Sequence, residues 1–197
     1  VAIDGERIIV GAPYHANDEL AYSGAAYIYE LSLSVGPSNG WGSNEFKLTS
    51  TNVAAYKYFG ERVDISGDHA TVLDNVEKRV TVFHRSLTGW EVGQQVAVAF
   101  THHPRNVAIS GDRMVVGYPE AELNGQWGMG AVAIFVRDPI TAEWSEKMIL
   151  YNPLTEQLVD NYSYIFEGLK FGYSVDISGN HIVIGAPGQQ VDYIGEL

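Results

Sequence analysis

The stretch VDISGNHIVIGAP, from Val175 to Pro187, alternates apolar and polar residues, breaks at Gly179-Asn180 and then continues as a second, apolar strand segment. Period-two alternation marks a strand with one covered face, and a glycine opening a two-residue break supplies the positive φ of a tight hairpin. The phrase predicts two antiparallel strands. It is not alone: VAIDGERIIVGAP starts at Val1, VDISGDHATVLDN at Val63 and VAISGDRMVVGYP at Val107, with turns at Gly5-Glu6, Gly67-Asp68 and Gly111-Asp112. A phrase that returns four times in 197 residues is an internal repeat, and the repeat decides the fold before any single element does.

Outward from each hairpin the chain continues in the same order. A loop leads to a third strand of small and aromatic residues, expected at Gly24–Tyr29, Arg79–Phe83 and Gly130–Phe135. A tryptophan follows, Trp41, Trp90 or Trp144, and then an apolar run, Phe46–Leu48, Val96–Phe100 or Met148–Leu150, expected as a fourth strand. One small four-stranded sheet cannot cover its own apolar faces, so a radial row of them implies an all-β β-propeller of four-stranded antiparallel blades. A sandwich has no need of one turn phrase repeated throughout. The expected blades run approximately over 1–57, 58–104, 105–170 and 171–197, the last partial, with a third strand starting near Val191–Ile194.

Two further signatures frame the hairpins. Phe59-Gly60 and Phe171-Gly172 stand just before a first strand, and Gly11-Ala12-Pro13 and Gly185-Ala186-Pro187 close a second strand. The pattern resembles the FG-GAP repeat of integrin α-subunit propellers, across essentially the whole chain. Two units depart from it: Gly117-Tyr118-Pro119 replaces GAP in the third, which also has Pro104-Arg105-Asn106 where Phe-Gly belongs, and the second has Leu73-Asp74-Asn75 in place of GAP. The Phe, Gly and Pro of the signature are expected to shape the backbone and fill the space between sheets.

The resemblance implies a propeller of about seven blades, within the four to eight usual for such folds. About three and a half are present. Such an arc leaves blade faces uncovered, so the expected partners include the remainder of the propeller in a longer parent chain, or other copies of this chain. The resemblance also suggests calcium in the first hairpin loop, but that loop is only a two-residue turn here and no DxDxDG run occurs. Two residues cannot supply the six to eight oxygens that calcium takes. Neither a metal nor a cofactor is therefore expected.

Composition supports this reading and narrows the function. An apolar fraction of 46% can build a core, and glycine at 21 residues with 12 Tyr, 7 Phe and 4 Trp fits many short strands and turns. Twelve basic against 24 acidic residues leave a net charge of −12, which repels nucleic acid. With no cysteine there is no disulfide, thiolate zinc site or cysteine nucleophile. Apolar runs are far too short for the ~20 residues of a membrane-crossing helix.

Alternating strand direction brings the second-to-third connection and the fourth-to-first connection to one face. The first and third units have long loops there, and the second is trimmed to about Asp74–Lys78, a low step between taller neighbours. The tall loops carry Tyr14, His15, Asp18, Glu19, Tyr22, Tyr56, Tyr58, Glu122, Trp127, Asp160, Tyr162, Tyr164 and Phe166. Aromatic rings with polar tips amid acids suit a protein partner or the face of a sugar ring. Asn161-Tyr162-Ser163 is a glycosylation sequon, in agreement with an extracellular or cell-surface location.

Catalytic signals are few. His102-His103 are adjacent on an extended segment, so their side chains point to opposite sides and do not share an ion. The serines of Ser66-Gly67-Asp68 and Ser110-Gly111-Asp112 lack the nucleophile elbow and read as turn residues. The expected function is a non-enzymatic extracellular binding or adhesion platform. The alternatives are a structural subunit of an extracellular filament or surface coat, and a polysaccharide-active hydrolase or lyase with His15, Asp18 and Glu122 as its first residues to test.

Overall fold

The computed structural model describes residues 1–32, 40–74, 76–97, 102–153 and 168–188. Within them every regular element is a strand. The first sheet contains β1 (Ala2–Asp4), β2 (Arg7–Ala12), β3 (Ala25–Ser32) and β4 (Gly40–Leu48) in that order. The second contains β5 (Val63–Ser66), β6 (His69–Asp74), β7 (Arg79–Arg85) and β8 (Trp90–Ala97). The third contains β9 (Asn106–Ser110), β10 (Arg113–Tyr118), β11 (Ala131–Arg137) and β12 (Trp144–Tyr151), and β13 (Ser174–Ser178) pairs with β14 (His181–Gly185). All pairings are antiparallel between chain neighbours. The expected third strand near Val191–Ile194 lies outside the described residues.

The repeated phrase forms the hairpins that its alternation predicts. Gly5, Gly67, Gly111 and Gly179 have φ between 54° and 57°, and each opens a two-residue turn such as Ser66↔His69. The first strands stand side by side, β1 beside β5, β5 beside β9 and β9 beside β13. This is a propeller-like arrangement.

The core lies between consecutive sheets. Ile9, Ile28 and Leu48 of the first sheet meet Phe59, Ile65, Val72 and Phe83. Leu73, Val80 and Val96 of the second sheet meet Val107, Met114, Val116 and Phe135. On β10, Met114 and Val116 face the second sheet while Val115, between them, joins Val175 and Ile177 of the last hairpin. Strand alternation thus gives a middle sheet two apolar faces, and each is covered by a different neighbour. Two stacked layers would have used only one face of each sheet.

The hairpin tips are stapled in series. Asp4 Oδ2 accepts the Gly67 N–H at 2.6 Å, Ser66 Oγ accepts the Gly111 N–H at 3.0 Å, and Ser110 Oγ accepts the Gly179 N–H at 3.0 Å. The serines of the repeat are therefore more than turn residues: each holds the next unit's turn. Asp64 adds a second link, with Oδ2 accepting the Ile109 N–H at 2.7 Å, and burial holds its carboxyl above the usual carboxylate range. Farther out, Glu30 accepts from Arg85 at 2.5 and 2.9 Å and from the Trp90 indole at 3.1 Å. The Arg85 hydrogen bonds hold the Glu30 carboxyl below its usual range. Between the second and third sheets the Gln94 amide takes this place, donating to Trp144 O at 2.9 Å and accepting Trp144 N–H at 2.7 Å.

The signature glycines are a contact between units. A Cβ on Gly11 would overlap the Gly60 carbonyl, one on Gly60 would overlap the Ala25 carbonyl, and one on Gly117 would overlap the Gly172 carbonyl. The glycine that closes a second strand thus bears directly on the Phe-Gly that precedes the next unit. This explains the two departures together: the second unit has Leu73-Asp74 where that glycine belongs, and the following unit has no Phe-Gly to receive one. Phe59 is fully buried between the first two sheets, as its place in the signature predicts.

One expectation is corrected. The fourth strands begin at or before the tryptophan instead of after it: Trp90 pairs with Arg85, Trp144 pairs with Arg137, and Trp41 lies inside β4. A register shift at Val82/Phe83, repeated at Ile134/Phe135, breaks the alternation within the strand. A bulge of this kind hides the first half of a strand from a periodicity reading.

Two substitutions separate the roles of the glycines. Gly60→Ala, at φ 92° and against the Ala25 carbonyl, is expected to destabilise by more than about 3 kcal/mol. Gly5→Asn, at φ 54° with open space around it, is expected to cost under about 1 kcal/mol, and Ser66→Ala about 1 kcal/mol. Urea unfolding of the three variants checks the order.

Candidate functional site

The connection from β2 to β3 folds on itself. Asn17 and Leu20 bridge across a two-residue turn in which Asp18 and Glu19 have φ of 46° and 69°. Buried Asn17 holds the loop closed, its Nδ2 donating to Ser23 Oγ at 2.8 Å and to Gly24 O at 2.7 Å. Tyr22, at φ 53°, follows. The connection from β4 to β5 comes to lie beside this loop, with Tyr56 N–H donating to Ala21 O at 2.8 Å and Tyr58 N–H to Tyr22 O at 2.9 Å. Tyr56 and Tyr58 are also left-handed, at φ 61° and 53°.

The third unit builds the same backbone from different residues. Its loop bridges Leu123 to Gln126 across Asn124-Gly125, at φ 54° and 77°. Gly128, at φ 74°, takes the place of Tyr22; Gly168, at φ 64°, that of Tyr56; and Lys170, at φ 55°, that of Tyr58. The pairing repeats, with Lys170 N–H donating to Gly128 O at 2.9 Å. At three of these positions, then, the third unit has glycine where the first has Glu19, Tyr22 and Tyr56. A side chain in left-handed backbone costs roughly 1 kcal/mol or more, so the first unit carries its tyrosines against a local penalty.

Those tyrosines converge. Tyr14 meets Tyr22 and Tyr58 edge-on, each at 5.9 Å between centroids, with interplanar angles of 86° and 82°. Tyr22 is stacked on Tyr58 at 5.9 Å and lies 5.6 Å from Tyr56. The cluster is nonetheless open to solvent, Tyr14 being 72% exposed, Tyr56 58% and Tyr22 43%. Exposed aromatic clusters of this kind mark interaction surfaces.

Lys57 is the residue that sequence reading missed. Between the two outward tyrosines, it is buried and ion-paired with Glu77 of the short connection from β6 to β7. Glu77 also holds Arg79 at 2.9 Å and accepts from Asn52 at 3.2 Å. Arg79 donates to Gln95 at 2.8 Å, and Gln95 to Thr51 at 2.7 Å. The trimmed second unit is therefore the seat on which the tyrosine-bearing segment rests. No strand alternation marks Lys57 in the sequence, because Tyr56 and Tyr58 on either side are left-handed and residues 56–58 belong to no strand. Buried Asp74 lies at the base of this network, accepting from Glu77 N–H at 3.0 Å and Ser50 Oγ at 3.4 Å. Burial pushes its carboxyl above the usual range, against the pull of Lys57.

The other expected residues divide between this cluster and other places. His15 packs edge-on against Tyr27 at 5.9 Å, and its Nε2 lies 3.0 Å from Lys47 Nζ, the donor of that contact. Asp18 and Glu19 are exposed at the loop tip. Glu122 and Trp127, the latter 58% exposed, stand on the corresponding loop of the third unit. Asp160, Asn161, Tyr162, Tyr164 and Phe166 lie outside the described residues. Near His103, Arg105 stacks over Tyr173 at 4.3 Å and donates to its hydroxyl at 2.9 Å. Among the described residues no group of three or more His, Cys, Asp or Glu is placed to hold a metal ion, and no helix is long and apolar enough to cross a membrane.

Comparison of the sequence with models of known protein families and with curated proteins finds no match.

Two predictions test this account of the loops. Giving the first unit the third unit's turn, Asp18→Asn with Glu19→Gly, is expected to raise stability by about 1–2 kcal/mol in thermal or urea unfolding. For Asp74 the folded-state pKa lies above the unfolded one, so the ionised form weakens the fold at neutral pH, and that penalty fades as pH falls through the folded value. Asp74→Asn, which keeps both hydrogen-bonding positions, is expected to melt higher than the parent at pH 7 and level with it near the unfolded value of 3.8.

Proposed function

We propose that the chain is an arc of an FG-GAP β-propeller and serves as a non-enzymatic, extracellular binding platform, contacting its partner through the loop-rich face of the first unit. The interlocked glycines Gly11–Gly60 and Gly117–Gly172 support the FG-GAP assignment, because they give the two signature motifs a shared physical role. The serial stapling of hairpin tips supports the radial arrangement of the units.

One observation carries the functional reading: Tyr22 and Tyr56 occupy left-handed backbone at positions where the third unit uses glycine, and their rings end in an exposed cluster with Tyr14 and Tyr58. Folding alone is served better by glycine there. Residues kept in strained backbone and turned to solvent gather at binding surfaces. The Lys57–Glu77 pair fixes the segment from beneath, so the rings are ordered before a partner arrives and less entropy is lost on contact.

The test is binding of the labelled chain to immobilised panels of polysaccharides and of secreted proteins, alongside the double variant Tyr14→Ser/Tyr56→Ser. Both side chains are more than half exposed, so the variant is expected to keep the parent's melting temperature within a few degrees. The reading predicts at least a tenfold loss of binding toward one panel member. Equal binding by parent and variant on every surface refutes it.

A further inference from the structure

We infer that the tyrosine cluster takes a neutral polysaccharide, its pyranose rings lying on the exposed faces of Tyr14 and Tyr56. This rests on the platform reading and adds the chemistry of the ligand. A pyranose presents a flat patch of C–H groups on one face and a ring of hydroxyls around its edge. It is matched by aromatic faces with hydrogen-bonding groups beside them, and tyrosine supplies both in one side chain.

The shape of the cluster favours a sugar over a peptide. Peptide anchors enter desolvated pockets or slots between aromatic walls. Here the rings pack against one another, with centroids 5.6 to 5.9 Å apart, as one contact cluster and not as separated walls. Among the described residues, the cavities lined by His69 and Gln94, by His103 and Glu120, and by Asp4 and Glu30 do not include these tyrosines. What the tyrosines offer is exposed aromatic surface with polar tips, with Tyr14 the most exposed of them at 72%.

Charge narrows the sugar. Asp18 and Glu19 stand exposed at the tip of the loop that carries Tyr14 and Tyr22, on a chain of net charge −12. Their carboxylates accept hydroxyl hydrogen bonds and repel uronate, sulfate or phosphate groups. Because the ligand itself carries no charge, the contact involves no ion pair across it and should persist at high salt.

The experiment is affinity electrophoresis of the intact chain through gels containing a neutral β-glucan, a galactomannan, starch, polygalacturonate or heparin. A basic proline-rich peptide is titrated calorimetrically as a separate arm. Four variants are run beside the parent: Tyr14→Ser, Tyr56→Ser, Tyr22→Gly and, as a control on the other loop, Trp127→Ser. Tyr22→Gly installs the third unit's own residue, so it keeps or improves the fold while removing a ring.

The expected result is retardation by at least one neutral polysaccharide, insensitive to salt. It should weaken about fivefold to tenfold in each tyrosine variant and be unchanged in the Trp127 control. The inference is overturned by retardation only in the anionic gels, by no retardation in any neutral gel, or by neutral binding that the tyrosine variants do not weaken. If the peptide alone binds and the tyrosine variants lose it, the sugar assignment falls and the platform stands. If no binding of either kind depends on the tyrosines, the sugar assignment falls, and the platform falls with it when the panel of secreted proteins is also bound equally by parent and variant.

Discussion

The structure depends on how closely one backbone approaches another where consecutive units meet. At Gly11 and Gly60, and again at Gly117 and Gly172, a carbonyl of one strand end occupies the volume that a Cβ of the other would need. Everything outward of that contact inherits its spacing: the pairing of Gly24 with Phe59, the burial of Phe59 between sheets, and the course of residues 56–59 beside the neighbouring loop. Where the contact is missing, between the second and third sheets, other groups hold the units together. Asp64 reaches the Ile109 N–H and Gln94 grips Trp144 through both its amide atoms.

The same close approach places the tyrosines. Backbone pairing of residues 21–23 with residues 56–59 forces left-handed conformations on both partners. In the third unit glycine meets that demand, whereas in the first it falls on tyrosine. Lys57 then anchors the segment through its buried pair with Glu77, while the neighbouring Tyr56 stays exposed. A scaffold requirement and the proposed recognition surface fall on the same few residues.

Much of this was legible in the sequence, for reasons that can be named. Hairpins were readable because the repeated phrase combines period-two alternation with glycine at the one turn position that needs positive φ. The low second unit was readable from the four residues between Asp74 and Arg79. The start of the fourth strands was not, since a bulge at Val82/Phe83 and again at Ile134/Phe135 interrupts the alternation. The serines of the turns gave no sign of reaching the next unit, because that bond joins residues about one repeat apart. All four tyrosines of the cluster were candidates from the start, but their union with one another, and their separation from Glu122 and Trp127, is a matter of which loops touch. Lys57 was missed because a lone lysine in a loop ordinarily lies in water.

The staples at the hairpin tips have a direction. Each of the three runs from an oxygen on Asp4, Ser66 or Ser110 to a glycine amide in the following unit, and at the first tip Arg7 adds a bond of opposite sense to Gly67 O. In these three bonds the earlier unit always offers the side-chain oxygen and the later unit the turn amide, like a tongue meeting a groove. At the tips a unit can therefore be duplicated in a chain as long as it is not turned around, whereas the close glycine contact admits only neighbours that carry both of its motifs.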